Sequence, residues 1–346
     1  MWQNRAMTAL MVFLCGGVVL AVSGASAQQQ PVRPKLATGV PNNPEGLSTS
    51  WAIAAFRDRV KERSNGAIDI QVFWGGSLYS EGASLKAMLD GAIEFSSSST
   101  ANAGVYSRTY FALDVPYLFP SADALGRTLI LGPLNQKIKS LVTREQPQLI
   151  PLIFTRNEAF RDLQCNRKVL VPSDLRGYKV RTTDTAVDVA TFRSFGAVPT
   201  PIAWAEVYTA GTQNMIQCLA VTTGYWLVSS RAYEWTKDIT RIEYQAQLHA
   251  INVSAKFLSA LPPDQQKLII ETATEVEREA LSIDQKYVDK WTAWLRAEGK
   301  QVIHTLSDDQ KQQWVEKAAT VEKQLQDKIP SGLLDDIRVE ISRAKQ

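Results

Sequence analysis

Residues 175–211, LRGYKVRTTDTAVDVATFRSFGAVPTPIAWAEVYTAG, place one arginine where a strand gives way to a helix. A basic strand ends at Arg181, the polar residues Thr182, Thr183 and Asp184 turn the chain, and a helical stretch runs to Phe195. Gly196, Pro199 and Pro201 interrupt it, and a second helical start follows at Trp204. An arginine at a strand end, facing a helix start and an aromatic ring, presents a planar fork that takes a carboxylate through two parallel N–H···O bonds. Lysine, a point charge on a flexible stem, lacks that geometry.

Working outward, residues 35–40 read as a strand and Asn42, Asn43 and Pro44 as a turn. Residues 47–64 have a helical period, with Ala52, Ala55, Phe56 and Val60 on one face and Arg57, Asp58, Lys61 and Glu62 on the other, ended by Asn65-Gly66. Alternation over 68–74 predicts a second strand, 81–89 a second helix, and 92–98 a third strand running into a Ser/Thr/Asn loop. This succession argues for an α/β fold with mainly parallel strands. In such sheets ligands lie beyond the carboxyl ends of the strands, here the loops after Val40, Trp74 and Ser98. A second α/β unit spans 158–240, and 248–257 returns to a strand-like pattern. Residues 262–298 form a long amphipathic helix, and Ser307-Asp308-Asp309-Gln310 is a capping box that opens another. Long helices after two α/β units are placed to brace one unit against the other.

The chain has 346 residues, 45% of them apolar and 21% charged, which is room for two cored domains. Arg5, an apolar run over 6–22 and Ala25-Ser26-Ala27 have the order of a secretory leader, so 1–27 is expected to be a cleaved signal peptide. The run is too short and wrongly flanked for a membrane span, and Leu14 is too large to precede a lipoprotein cysteine at Cys15. Loss of Arg5 lowers the formal charge from +3 to +2, and with no basic run a nucleic-acid partner is excluded. The remaining cysteines, Cys165 and Cys218, are a possible disulfide in an oxidising compartment, or two buried thiols. Only His249 and His304 are available, and no G-x-S-x-G, Walker A or G-x-G-x-x-G occurs, so neither catalysis, nor a metal, nor a cofactor has evident parts.

Asp174, Leu175, Gly177, Lys179 and Arg181, then Gly196, Ala197, Pro199, Thr200, Pro201, Glu206, Val207, Tyr208, Thr209 and Ala210, stand in register with a known pattern. They resemble the central motif of the DctP-type solute-binding proteins of TRAP transporters. The segment GGSLYSEGASLKAMLDGAIEFS (75–96), the run Leu113, Asp114, Val115, Pro116, Tyr117, Leu118 and Phe119, and LPPDQQ (261–266) extend the resemblance over most of the chain.

The resemblance implies a two-lobed periplasmic-binding-protein-like fold with an interdomain ligand cleft and long C-terminal bracing helices. The expected lobes are 28–157 with 248–285, and 158–247 with 286–346. It further implies a periplasmic protein, not an enzyme, that captures a small organic acid and delivers it to a TRAP-type permease. Arg181 falls on the carboxylate anchor, Arg161 where many relatives place a second arginine, and Trp204 on the aromatic that covers the ligand. Asp184 stands where some relatives make a polar contact, or steadies Arg181; Ser99 and Asn102 would face the ligand from the first lobe. The chain leaves the pattern after Gln213, where Gln217, Cys218 and Val221 replace the usual residues, so Thr222, Thr223, Tyr225 and Trp226 are candidates for the missing contacts. Trp204 and its aromatic neighbours favour a monocarboxylate with an apolar or aromatic tail, and a small 2-oxo or 2-hydroxy acid also fits. The competing classes are a binding protein for an ABC importer or sensor, and a secreted lyase or hydrolase.

Overall fold

Two strands of 17 residues each, β4 (Leu149–Cys165) and β8 (Asp238–Ser254), organise the molecule. The structure is a computed structural model that describes residues 30–298 and 301–344; the expected leader, 1–27, lies outside them. The other strands are β1 (Lys35–Thr38), β2 (Gln71–Phe73), β3 (Phe95–Ser99), β5 (Lys179–Thr182), β6 (Val198–Pro201), β7 (Cys218–Thr222) and β9 (Val302–His304). They form one sheet of order β2-β1-β3-β8-β4-β7-β5-β6, with β9 beside β8.

The expected parallel pairing holds within each outer trio: β1 runs parallel to β2 and β3, and β5 to β6 and β7. It does not hold at the centre. β8 is antiparallel to both β3 and β4, and β4 is antiparallel to β7, so the sheet is mixed. At about 3.3 Å per residue each long strand extends roughly 55 Å, enough to serve both trios. β8 gives its last residues to β3, from His249 opposite Ser99 to Val253 opposite Phe95. β4 gives its last residues to β7, from Arg161 opposite Thr222 to Cys165 opposite Cys218. Between those stretches the β4–β8 register shifts, from Arg156 opposite Leu248 to Phe160 opposite Ala246. Glu158, inside that bulge, has a φ of 59°.

The strand expected over 248–257 is therefore longer at its start and shorter at its end, because Ala255–Ala260 is a helix. The loop expected after β3 is a one-turn helix, Thr100–Ala103, capped by the Ser99 hydroxyl, which accepts the Asn102 N–H. Helices Ser48–Arg63, Glu81–Leu89 and Ala186–Ser194 fall where the patterns placed them.

Helix Pro263–Glu298 is the expected brace. Its Ile269, Ala273, Val276 and Ala280 pack with Leu36, Phe56 and Phe95 of the first unit. Further along, Leu295, Trp291 and Trp294 pack with Val207, Leu219 and Trp226 of the second. Between the two, buried Asp284 accepts from the Arg156 Nε at 2.7 Å, the Ser48 hydroxyl at 3.0 Å and the Glu158 N–H at 2.9 Å. Helix Asp308–Leu325 starts with the Ser307–Gln310 capping box and buries Trp314 against Phe195, ring centres 4.9 Å apart. Beyond it the chain returns to the first unit: Val321, Leu325, Leu333, Ile337 and Ile341 share a core with Leu134 and Ile138.

Candidate functional site

A cavity of about 560 Å³ opens where the carboxyl ends of the outer strands face one another. Gly39 after β1, Gly75 and Gly76 after β2, and Ser99 at the end of β3 line it from the first unit, as the strand-end rule predicts. Arg181, Thr183, Asp184 and the 201–205 segment line it from the second, and Arg161, Gln247 and His249 reach it from the crossing strands.

Arg181 lies third in β5, opposite Thr200 of β6 and Leu219 of β7, so the sheet fixes its backbone on both sides. Its side chain is 7% exposed. The Nε donates to the Ile202 carbonyl at 2.9 Å, and the guanidinium carbon stands 5.5 Å from the centre of the Trp204 ring. Among the described residues it forms no ion pair with a carboxylate. Burial, and after it the nearby Arg161 charge, pull Arg181 down to about 10, so it remains a cation at neutral pH.

Arg161 is in a different condition. Its NH1 donates to both oxygens of Asp188, at 3.1 and 3.3 Å, and its Nε to the Gln247 amide oxygen. Burial acts most strongly, to lower it, and Asp188, Tyr244 and Asp114 together outweigh burial, leaving it above the ordinary arginine value. Asp188 is itself positioned by the Thr183 N–H at 3.1 Å and the Thr183 hydroxyl. Arg161 thus faces the cavity with its charge already matched inside the protein.

Trp204 opens a 3₁₀ turn, Trp204–Glu206, and meets the Trp226 ring edge to face at 4.9 Å; both line the cavity. Asp184 is exposed at the rim and forms no ion pair with Arg181. The Ser99 hydroxyl accepts from the Asn102 backbone and side-chain nitrogens, and both residues line the cavity. Tyr225 is not among the lining residues. Its N–H donates to Glu158 at 2.6 Å, and its ring packs 5.6 Å from Trp291, turned toward the bracing helix. Thr222, opposite Arg161, is fully buried and does not line the cavity either.

Two titratable lining residues, Glu81 and His249, were not assigned to the site from sequence. Glu81, first in its helix, accepts the Ser99 N–H. Burial alone would raise its carboxyl; His249, the Ser99 N–H and Asn102 outweigh it, so Glu81 lies below the ordinary carboxylate value. His249 is buried, stacks on Trp226 with 6.3 Å between ring centres, and has no hydrogen-bond partner at Nδ1. Burial holds it below the ordinary imidazole value, with Glu81 opposing and Arg161 adding. Cys165 and Cys218 are joined in a disulfide that ties β4 to β7, four residues along β4 from Arg161, roughly 13 Å. Among the described residues no group of three His, Cys, Asp or Glu side chains can hold a metal ion.

Two α/β units threaded by paired long strands, braced by one helix and enclosing a cavity with a buried cation, make up a two-lobed periplasmic-binding-protein-like fold. The chain belongs to bacterial extracellular solute-binding protein family 7, DctP, whose sequence profile matches residues 42–328. It is 26% identical over 298 residues to the C4-dicarboxylate-binding periplasmic protein DctP of Vibrio cholerae, covering 86% of this chain and 87% of the relative. The 2,3-diketo-L-gulonate-binding periplasmic protein of Escherichia coli is 30% identical over 244 residues, 68% of this chain and 72% of that one. Among solved structures, a TRAP periplasmic solute-binding protein from Shewanella oneidensis with bound succinate superposes with a TM-score of 0.82 at 23% identity, covering 91% of this chain and all of that one. The class is TRAP-type periplasmic solute-binding proteins, which bind small organic acids and are not enzymes. No helix among the described residues is long and apolar enough to cross a membrane.

Proposed function

We propose that this protein captures a small organic acid by its carboxylate on Arg181 and delivers it to a TRAP-type permease. One observation carries the reading: Arg181 is buried, charged and without a carboxylate partner among the described residues. A buried cation with no carboxylate in contact is costly even with Asp188 and Glu81 acting on it from a distance, and a ligand carboxylate supplies the missing contact. Each charge-assisted hydrogen bond then contributes roughly 1.5–3 kcal/mol. Family membership sets aside the ABC-importer and secreted-enzyme readings. The leader at 1–27 and its cleavage belong to the same proposal.

A monocarboxylate is the favoured ligand. Arg161 is already matched by Asp188, so Arg181 alone has charge to offer, and Glu81 across the cavity opposes a second carboxylate. The Trp204 and Trp226 rings supply an apolar wall for the remainder of the molecule. By name, one relative binds C4-dicarboxylates and another 2,3-diketo-L-gulonate, so the family contains both kinds of acid.

The lobe division is also proposed. Cuts at 157/158 and 247/248 coincide with the register shift between β4 and β8. The tail beyond 320, first grouped with the second lobe, is reassigned to the first because Ile337 and Ile341 pack with Leu134 and Ile138.

A thermal-shift screen against organic acids tests the reading, since a ligand at a hundred times its Kd adds about 2.7 kcal/mol to apparent stability. The best acid is expected to lose its shift with Arg181→Ala and most of it with Arg181→Lys. Normal binding by Arg181→Ala would discard the site.

A further inference from the structure

We infer that Glu158 is a positioning residue that makes acid capture pH-dependent: its protonated carboxyl holds in place the cavity wall that Trp226 forms, and its ionisation releases that wall. The inference rests on the reading of the cavity as the acid site. Glu158 stands in the β4 bulge, with a left-handed φ of 59° that few non-glycine residues adopt. Its backbone and its side chain reach different parts of the molecule. The N–H donates to Asp284 of the bracing helix at 2.9 Å, and Asp284 also accepts the Ser48 hydroxyl of the first unit. The side chain meets the second unit, where Oε1 accepts the Tyr225 N–H at 2.6 Å, at the start of helix Tyr225–Ser229. Gly224 packs directly on the carboxyl: a Cβ there would stand 2.3 Å from Oε1 and 2.6 Å from Oε2. Next after Tyr225 comes Trp226, whose ring lines the cavity and meets Trp204 at 4.9 Å, beside Arg181. One carboxyl therefore sets the place of a helix that forms the cavity wall.

The joint suits a neutral carboxyl. Oε2 is buried and has no hydrogen-bond partner among the described residues. The Thr222 hydroxyl, which acts on the carboxyl, is likewise buried and unpartnered, so a proton on Oε2 has an oxygen to go to. The charged and titratable groups that act on Glu158 are Asp284 of the bracing helix, Arg241 of β8 and the Tyr225 phenol. Arg241 already pairs with Asp162 at 3.4 Å, and Arg156, two residues back on β4, with Asp284 at 2.7 Å. Two cations thus face three carboxylates, and Glu158 is the one in excess. Burial raises it to about 7, with Asp284 adding and the Tyr225 N–H, Thr222 and Arg241 opposing. A carboxyl raised by this joint supports the joint while protonated, and that support is lost as pH rises through 7. Once charged, the bare oxygen needs water, which enters only if Gly224 and the helix after it move off the bulge. Trp226 moves with them, the fraction of protein with a complete cavity falls, and apparent affinity falls by the same factor.

Calorimetric titration between about pH 6.5 and 8.5 tests this with pyruvate, butyrate, gluconate and succinate, whose carboxylates stay ionised over that range. Across it the tightest binder should lose at least about threefold in affinity for the unmodified protein. For Glu158→Gln, whose amide oxygen still accepts the Tyr225 N–H, the loss should stay under about twofold. Hydrogen exchange of the Tyr225–Ser229 amides in the empty protein gives a readout that needs no acid. Corrected for the intrinsic pH dependence of exchange, protection there should fall with rising pH in the unmodified protein and hold steady in Glu158→Gln. Affinity that is flat or rises with pH in the unmodified protein would overturn the inference and leave the acid reading intact; so would an equal decline in Glu158→Gln. If Glu158→Gln does not fold, or none of the four acids binds, the exchange profile of the unmodified protein decides by itself, and constant protection at Tyr225 overturns the inference. Full binding by Arg181→Ala would instead overturn the carboxylate anchor and leave the role of Glu158 standing.

Discussion

Arg181 and Arg161 face one cavity, yet among the described residues only Arg161 is paired with a carboxylate, and that difference is what favours Arg181 as the proposed anchor. Arg161 has Asp188 and Gln247; Arg181 has a single carbonyl and an aromatic face. A buried charge held ready for a ligand weakens the empty protein, so removing it should stabilise the unliganded fold. Arg181→Met keeps the volume and is expected to raise the unfolding temperature of the empty protein, corresponding to about 1 kcal/mol or more, while abolishing the ligand-dependent shift. Calorimetric melting without ligand checks this; a lower melting temperature for Arg181→Met would show that the guanidinium is compensated internally. Arg181 was legible in the sequence because a strand end, a polar turn and the Pro199-Thr200-Pro201 run mark it locally. Glu81 and His249 were not. An acidic residue in the first turn of a helix reads as a partner for the helix dipole, and a lone histidine in an apolar strand reads as core. Only the sheet brings the two to one wall, by setting His249 opposite Ser99, whose N–H meets Glu81.

The elements divide in the same way between local and non-local causes. Helix Pro263–Glu298 was visible because its apolar stripe repeats within its own residues, and the helix after Ser307 because its cap lies within four. The first half of β8, Asp238 to Gln247, was hidden: it alternates Ile239, Ile242, Tyr244 and Ala246 with Arg241, Glu243 and Gln245, and its length is set by pairing with a distant strand. Opposite it, the bulge in β4 holds Glu158, whose Oε1 takes the Tyr225 N–H while Oε2 is buried without a partner. Gly224 makes this possible, since a Cβ there would stand 2.3 Å from Glu158 Oε1. Burial raises Glu158 to about 7, with Asp284 adding to the rise and the Tyr225 N–H, Thr222 and Arg241 opposing it. A carboxyl raised on folding stabilises the fold while protonated, and that stability is lost as pH climbs from its unfolded value near 4.5 through 7. Glu158→Gln is therefore expected to melt higher than the unmodified protein at pH 8, with the gap closing by pH 5. Melting curves across that range check it, and a gap that widened toward acid would reverse the assignment.

At the scale of the whole molecule, the cavity is shared between units joined by β4, β8 and the bracing helix. Arg181, the proposed carboxylate anchor, lies on the second unit, and Ser99, Asn102 and Glu81 lie on the first, so a ligand spanning the cavity would complete both sets only when the units approach. Moving such an equilibrium from 1:99 to 99:1 takes about 5.5 kcal/mol of differential affinity. Two or three charge-assisted hydrogen bonds made only in the approached state, at roughly 1.5–3 kcal/mol each, supply that amount. An acid held by Arg181 alone falls short. Small-angle scattering should accordingly show the radius of gyration shrinking on addition of the best-bound acid. Arg181→Ala should show no shrinkage with it. A protein that binds its acid by calorimetry while its scattering stays unchanged would mean that the ligand rests on one unit, and that recognition by the permease does not proceed through closure.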